Sequence, residues 1–158
     1  MKRFLLLAIM SLALAGCAST GKASKFYDDP EGLLGSSRIE IRNVSVVIDY
    51  VNQKDIDFQV RQIAGMLFDR EKIVDPRNIL YADIEVNQRS FIDGIDPKNS
   101  LFVTLVVADA NGQIISRIQE YAVGNESVLS SAVQYKYLAD LVDPVNKERA
   151  RMAKTSKK

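Results

Sequence analysis

The chain predicts an α+β domain with the element order β-α-β-β-β-α, a mostly antiparallel sheet with two helices on one face. Three observations predict it. Apolar residues alternate with polar ones over Leu80 to Ile92, which is the mark of a half-buried strand. They recur at helical spacing over Asn52 to Ile73. Asn111-Gly112 joins two apolar runs, a strong hairpin signal. A sheet with both helices on the same side buries all of these patterns at once.

The chain opens with Lys2 and Arg3, an apolar run from Phe4 to Ala15, and then Gly16-Cys17. This is the layout of a secretory signal peptide. The run is about 12 residues long, short of the roughly 20 that span a bilayer. Leu14-Ala15-Gly16-Cys17 resembles the lipobox of bacterial lipoproteins. The resemblance implies that Leu14, Ala15 and Gly16 guide the signal peptidase, which cuts before Cys17. It also implies a diacylglyceryl group on the Cys17 thiol and an acylated new amino terminus. Three acyl chains make such an anchor effectively permanent, since one alone binds only marginally. In enterobacterial members an Asp after the cysteine favours inner-membrane retention. Ala18 stands there, so the resemblance implies the outer membrane, with the domain facing the periplasm.

Residues 1–16 are thus expected to be a signal peptide and 17–37 the lipidated cysteine and a flexible tether. The tether is rich in Gly and Ser and contains Pro30. Its apolar pairs, Phe26-Tyr27 and Leu33-Leu34, are expected to pack on the domain or to meet a partner. The domain itself spans 38–143. Arg38 to Tyr50 is a strand in which Ile39 and Ile41 share one parity and Val44, Val46 and Ile48 the other. The phase changes at Asn43, which predicts a bulge. In the following helix Ile56, Val60, Ile63 and Leu67 form a stripe that Ala64 and Phe68 widen. Asn52 is the expected N-cap, Asp55 and Asp57 sit in the first turn, and Asp75-Pro76 stops the pattern.

Over Leu80 to Ile92 the inward set is Ala82, Ile84 and Val86. Asp93 to Asn99 reads as a turn. Leu101 to Ala108 is apolar on both parities and predicts a central strand, and Gln113 to Val123 returns beside it. A second helix is expected over Glu126 to Val142, with Val128, Ala132, Tyr135, Ala139 and Val142 as its buried stripe, ended by Asp143-Pro144. Residues 144–158 read as a basic, disordered tail.

Removal of the signal leaves about 142 residues, enough for one domain to fold without disulfides. Charge is segregated. From Ala18 to Asn146 there are 13 basic and 19 acidic residues, a net of −6. Six cations follow, opposed by Glu148 alone. An acidic body is a poor nucleic-acid binder, and none is expected as a partner. The basic tail is a candidate for contact with anionic headgroups.

The chain has no histidine and a single cysteine, so Ser-His-Asp and Cys-His catalysis and histidine metal sites are excluded. Paired carboxylates remain, Asp93 with Asp96 and Asp55 with Asp57, the kind of pair that glycoside hydrolysis uses. Both pairs are also what a turn and a helix start require. No cofactor and no metal is expected, and the chain reads as a non-enzyme.

The segment from Tyr81 to Tyr121 runs as an alternating strand, an apolar strand ending Val107-Ala108-Asp109-Ala110, an Asn-Gly turn and a return strand. With the anchor and linker, this resembles small periplasm-facing accessory lipoproteins, among them activators of peptidoglycan synthases and auxiliary lipoproteins of envelope transport. The resemblance implies docking on an envelope protein without catalysis. Phe26, Tyr27, Asp93 and Asp96 are the candidate partner contacts. The alternative expectation is a periplasmic carrier of a lipid or glycan.

Overall fold

The computed structural model describes residues 19–20, 24–29, 31–71, 73 and 76–155. Their elements are β1 (Ser19–Thr20), β2 (Ser24–Tyr27), α1 (Leu33–Ser36), β3 (Ser37–Ile48), β4 (Val51–Asn52), α2 (Lys54–Phe68), β5 (Asn78–Asp93), β6 (Asp96–Ala108), β7 (Ile114–Gly124) and α3 (Ser131–Thr155). The fold class is α+β, as the patterning requires. One sheet runs in the order β1-β7-β6-β5-β3-β4, with β2 also on β7. Strands β5, β6 and β7 form the antiparallel meander, and β3 joins its edge parallel to β5 after the α2 crossover.

Helix α2 contacts β3 and α3, and α3 contacts β6 and β7, so both long helices cover one face. The core lies between them and that face. Val46, Ile84, Leu105 and Ile118 from the sheet meet Val60, Leu67, Leu138 and Leu141 from the helices, each nearly inaccessible. The phase change in β3 is a register shift between Ile41 and Asn43. It lets Ile39 and Val44 both reach the core although their spacing is odd.

Several elements differ from expectation. Helix α2 starts at Lys54 after Gln53, which caps it without a side-chain bond, so Asn52 is not the N-cap. Asp57 is instead drawn to the sheet, where its Oδ1 accepts the Val46 N–H at 2.6 Å. The expected turn from Asp93 to Asn99 is mostly strand. β5 and β6 pair out to Asp93 and Asp96, and the turn between them is Gly94-Ile95, where Gly94 takes φ +67°. Part of the expected flexible tether is also structured. Ser24–Tyr27 pairs with β7, and Leu33–Ser36 is a helical turn whose Leu34 is fully buried. Asp29 fixes that turn by accepting the N–H groups of Leu33 and Leu34 at 2.7 and 2.8 Å.

The largest correction concerns the C-terminus. Residues 144–155 are helix, not a disordered tail, because α3 continues through Pro144 to Thr155. A mid-helix proline costs about 3 kcal/mol. Burial of Val145, Asn146 and Arg149 offsets it. Of the expected stripe, Val128 and Val142 are buried and Ala139 packs against the core, but Ala132 and Tyr135 face solvent, and Gln134, Leu138, Leu141, Val145 and Arg149 face inward instead. Three of the inward residues along this helix are polar. Gln134 Nε2 donates to Val128 O at 2.8 Å, and Asn146 Nδ2 to Leu67 O at 2.8 Å. Arg149 donates to Ser37 O at 3.1 Å. These bonds let polar side chains occupy core positions.

Candidate interaction surfaces

With both long helices on one side, the opposite face of the sheet is left uncovered. Its composition follows from strand parity. In register across the strands, one row runs Phe26, Arg117, Val106 and Asp83, and a second runs Tyr121, Phe102 and Asn87. Phe26, Phe102 and Tyr121 are 51%, 38% and 45% exposed. Beside them Arg42 grips Asp83 with both ends of its fork, from Nε to Oδ1 at 3.0 Å and from Nη2 to Oδ2 at 2.5 Å. That hydrogen-bonded carboxylate raises the Arg42 pKa further. The guanidinium also lies 5.8 Å from the centre of the Tyr81 ring. A shallow trough of about 570 Å³ on this face is lined by Arg42, Asp83, Glu85 and Thr104 among others.

The two candidate contacts in the amino-terminal strand separate by parity. Phe26 lies on the uncovered face, whereas Tyr27 packs against the core and its phenol pKa is raised by burial. Asp93 and Asp96 face each other across the β5–β6 turn. Asp93 accepts from Lys98 Nζ at 2.5 Å, which holds its carboxyl below the usual range. The arrangement is that of turn formers. Cys17, Leu14, Ala15 and Gly16 lie outside the described residues. Among the described residues no group of three or more Cys, Asp or Glu side chains gathers as a metal site. Among them, too, no helix is long and apolar enough to cross a membrane.

The sheet edges are unequal. On β3, Arg61 Nη1 donates to Ile41 O at 2.6 Å, Asp57 accepts from Val46 N–H, and Gln53 N–H bonds Val46 O at 2.9 Å. Side chains and the α2 approach thus occupy the backbone groups that a docking strand would need. The other edge is the short strands β1 and β2.

The ends of the sheet also differ. At one end lie the β5–β6 turn, the β3–β4 turn and the 125–130 loop. Gln88 ties them together, accepting Val128 N–H at 2.8 Å and Ser127 Oγ–H at 3.2 Å. Asp49 accepts both the N–H and the hydroxyl of Ser90, at 2.7 and 2.8 Å. These bonds hold the β3–β4 turn, where Asp49 and Tyr50 have φ of 46° and 71°, values that non-glycine residues rarely adopt. Tyr50 stands 82% exposed there, its ring under the Arg89 guanidinium at 3.2 Å. Residues missed by sequence reading cluster at this end: Tyr50, Val51, Ile92, Ile95 and Leu129 are all more than half exposed. Their placement side by side depends on register, which no local pattern reveals.

The basic end of α3 is elsewhere. Arg149 bonds Ser37, the first residue of β3, and Met152 lies against Gly35. Ser37 pairs with Asn78 at the start of β5, the end of that strand away from its turn. Of the cations expected near headgroups, those among the described residues are therefore carried to the far end of the sheet.

This architecture defines an α+β domain of one open sheet with helices on a single face. No protein-family model matches the chain, and no curated protein matches it. Solved structures share the fold. A point-substituted PelC dodecamer from Paraburkholderia phytofirmans is 18% identical, with 80% of this chain and 97% of that chain covered and a TM-score of 0.54. A second PelC dodecamer structure from the same organism gives 16% identity, the same coverage and a TM-score of 0.53. A candidate lipoprotein from Caulobacter crescentus is 14% identical over 81% of this chain and 96% of that one, with a TM-score of 0.43. The two PelC likenesses concern the fold alone.

Proposed function

We propose that the protein is a non-enzymatic, lipid-anchored accessory protein of the bacterial cell envelope. It docks on a partner protein in an assembly, transport or cell-wall complex, and it does so through the uncovered face of the sheet. The observation that carries this reading is the exposed aromatic set Phe26, Phe102 and Tyr121 beside the Arg42–Asp83 pair. Aromatic and arginine side chains are the types that dominate protein–protein contacts. The lipobox-like Leu14-Ala15-Gly16-Cys17 supplies the anchor, and the outer membrane is its expected site. PelC, whose fold this chain shares, forms a dodecamer, so a second copy of this chain is one partner the face would fit.

The carrier alternative has less support. The cleft at the helix ends measures about 180 Å³, below the roughly 300 Å³ at which small-molecule pockets begin, and the larger trough of about 570 Å³ on the open face is shallow and lined mainly by charged and polar side chains. The smaller cleft sets Ile39 and Phe68 among Arg38, Asp69, Glu71 and Arg149, so it offers a lipid chain no continuous apolar wall.

In-cell cross-linking tests the proposal. A photoactivatable residue at Tyr121 or Phe26 is expected to trap one dominant envelope protein, or a second copy of the chain. The same group at Lys147, on the exposed side of α3, is expected to trap neither. Equal products from Tyr121 and Lys147 would sink the assignment of this face.

A further inference from the structure

We propose that the end of the sheet formed by the β5–β6 and β3–β4 turns seats directly on the lipid bilayer, as a second, apolar point of attachment beside the acyl anchor. The inference rests on the reading of Cys17 as acylated and goes beyond it by assigning the orientation of the domain. Ser19 pairs with Val123, which pairs with Ser100, which pairs with Arg89. Because β1 is antiparallel to β7, Ser19 is the residue of β1 nearer the β5–β6 turn. Cys17 is two residues upstream, so it reaches at most about 7 Å beyond Ser19 at about 3.4 Å per residue. That reach extends along the sheet as far as the level of Phe91. The turn at Gly94 lies three residues further, on the order of 10 Å. Acyl chains on Cys17 therefore draw the turn into the headgroup layer, where interfacial segments insert by about 5–10 Å.

The side chains at that end suit such a contact. Ile95 is 95% exposed and Ile92 77%, at the tip of a hairpin where a water-facing turn would carry polar residues. Tyr50, Val51 and Leu129 stand around them. Tyrosine favours the bilayer interface, where its ring meets acyl chains and its hydroxyl meets water. The charges nearby are of both signs. Lys98 pairs with Asp93 and Arg89 lies over the Tyr50 ring, while Asp96 and Asp49 add negative charge, that of Asp49 held by hydrogen bonds from Ser90. Nothing there demands an anionic lipid, so a zwitterionic surface suffices.

The chain contains no tryptophan, so a single introduced one reports without background. The acylated protein carrying Ile95→Trp is placed in phosphatidylcholine vesicles that contain lipid brominated near the headgroup end of its acyl chains. A matched protein carries Ala110→Trp, in the β6–β7 turn at the opposite end. Both positions are exposed, so neither substitution disturbs the core. The expected result is that Ile95→Trp shifts to the blue and loses most of its emission to bromine, while Ala110→Trp does neither. Absence of quenching at Ile95→Trp, or equal quenching at both sites, overturns the proposal. So does a blue shift that bromine leaves intact and that grows with protein concentration, which would mark a contact between copies. Intact mass is read first. A chain without acyl groups sinks the anchor reading itself, and quenching of the acylated chain judges the orientation separately.

Discussion

Arg149 shows how one residue binds three elements. The residue is only 3% exposed. It donates to Ser37 O at 3.1 Å, to Phe68 O at 3.4 Å and to Asn146 Oδ1 at 2.9 Å. Burial pushes its pKa down, and Glu71 and Asp69 push it back. The carbonyls at the end of α2 help, since a helix C-terminus carries partial negative charge. Arg149→Ala is expected to cost about 3 kcal/mol, because it strands buried acceptors. Urea unfolding would show it as a lower midpoint at unchanged slope. Arg149→Lys is expected to keep most of the loss, since an ammonium cannot reproduce the planar fork.

Glu120 is the opposite case. It faces α3 with its Oε2 buried and lacking a hydrogen-bond partner. Burial raises its pKa, and Asp140 adds to the rise. The folded state then holds a proton that the unfolded state releases, between the ordinary carboxyl value and the raised one. Stability is complete below that window and falls as pH rises through it. Glu120→Gln is expected to flatten this slope and to add less than about 1 kcal/mol at pH 7, given partial solvent screening. Melting curves from pH 4 to 8 would measure both effects, and a mutant that melts lower at pH 7 would refute the reading.

At the scale of elements, α1 and α3 meet without room to spare. A Cβ on Gly35 would lie 2.7 Å from Met152 Cβ and 2.8 Å from Ala153 N. Gly35→Ala is expected to destabilise by about 1–3 kcal/mol, the usual cost of overpacking. Unchanged thermal stability would mean that the C-terminal turns of α3 do not pack on α1. This contact also explains why α3 outlasts Pro144. The continuation has a buried surface to gain, which the local sequence does not display. The β5 strand was legible, with Leu80, Ala82, Ile84 and Val86 all buried as alternation demands. The stripe of α3 was not, because Gln134, Asn146 and Arg149 read as surface residues until their backbone partners are known.

At the scale of the molecule, the fold separates three regions in space. The core lies between helices and sheet, the aromatic and charged face points the other way, and the apolar turns share an end with β1. The cations of α3 sit at the far end. They are thus placed away from the membrane that the anchor implies, and the proposed orientation points them and α1 into the aqueous compartment. Cross-linking at Tyr121 and bromine quenching at Ile95→Trp test different surfaces, so either can fail without the other.

By itself the sequence determined the fold class, the meander and the bulge at Asn43. Each is a local signal, carried by period or by adjacent residues. Of the candidate contacts it named Phe26, which does lie on the uncovered face, but it paired Tyr27 with it although neighbouring strand residues point to opposite faces. Tertiary structure alone decided that α3 runs through Pro144, that the expected tether contributes a strand and a helical turn, and that five exposed apolar residues from three connections gather at one end. Those outcomes depend on strand register and on buried polar bonds between residues distant in sequence, and a window of neighbouring residues contains neither.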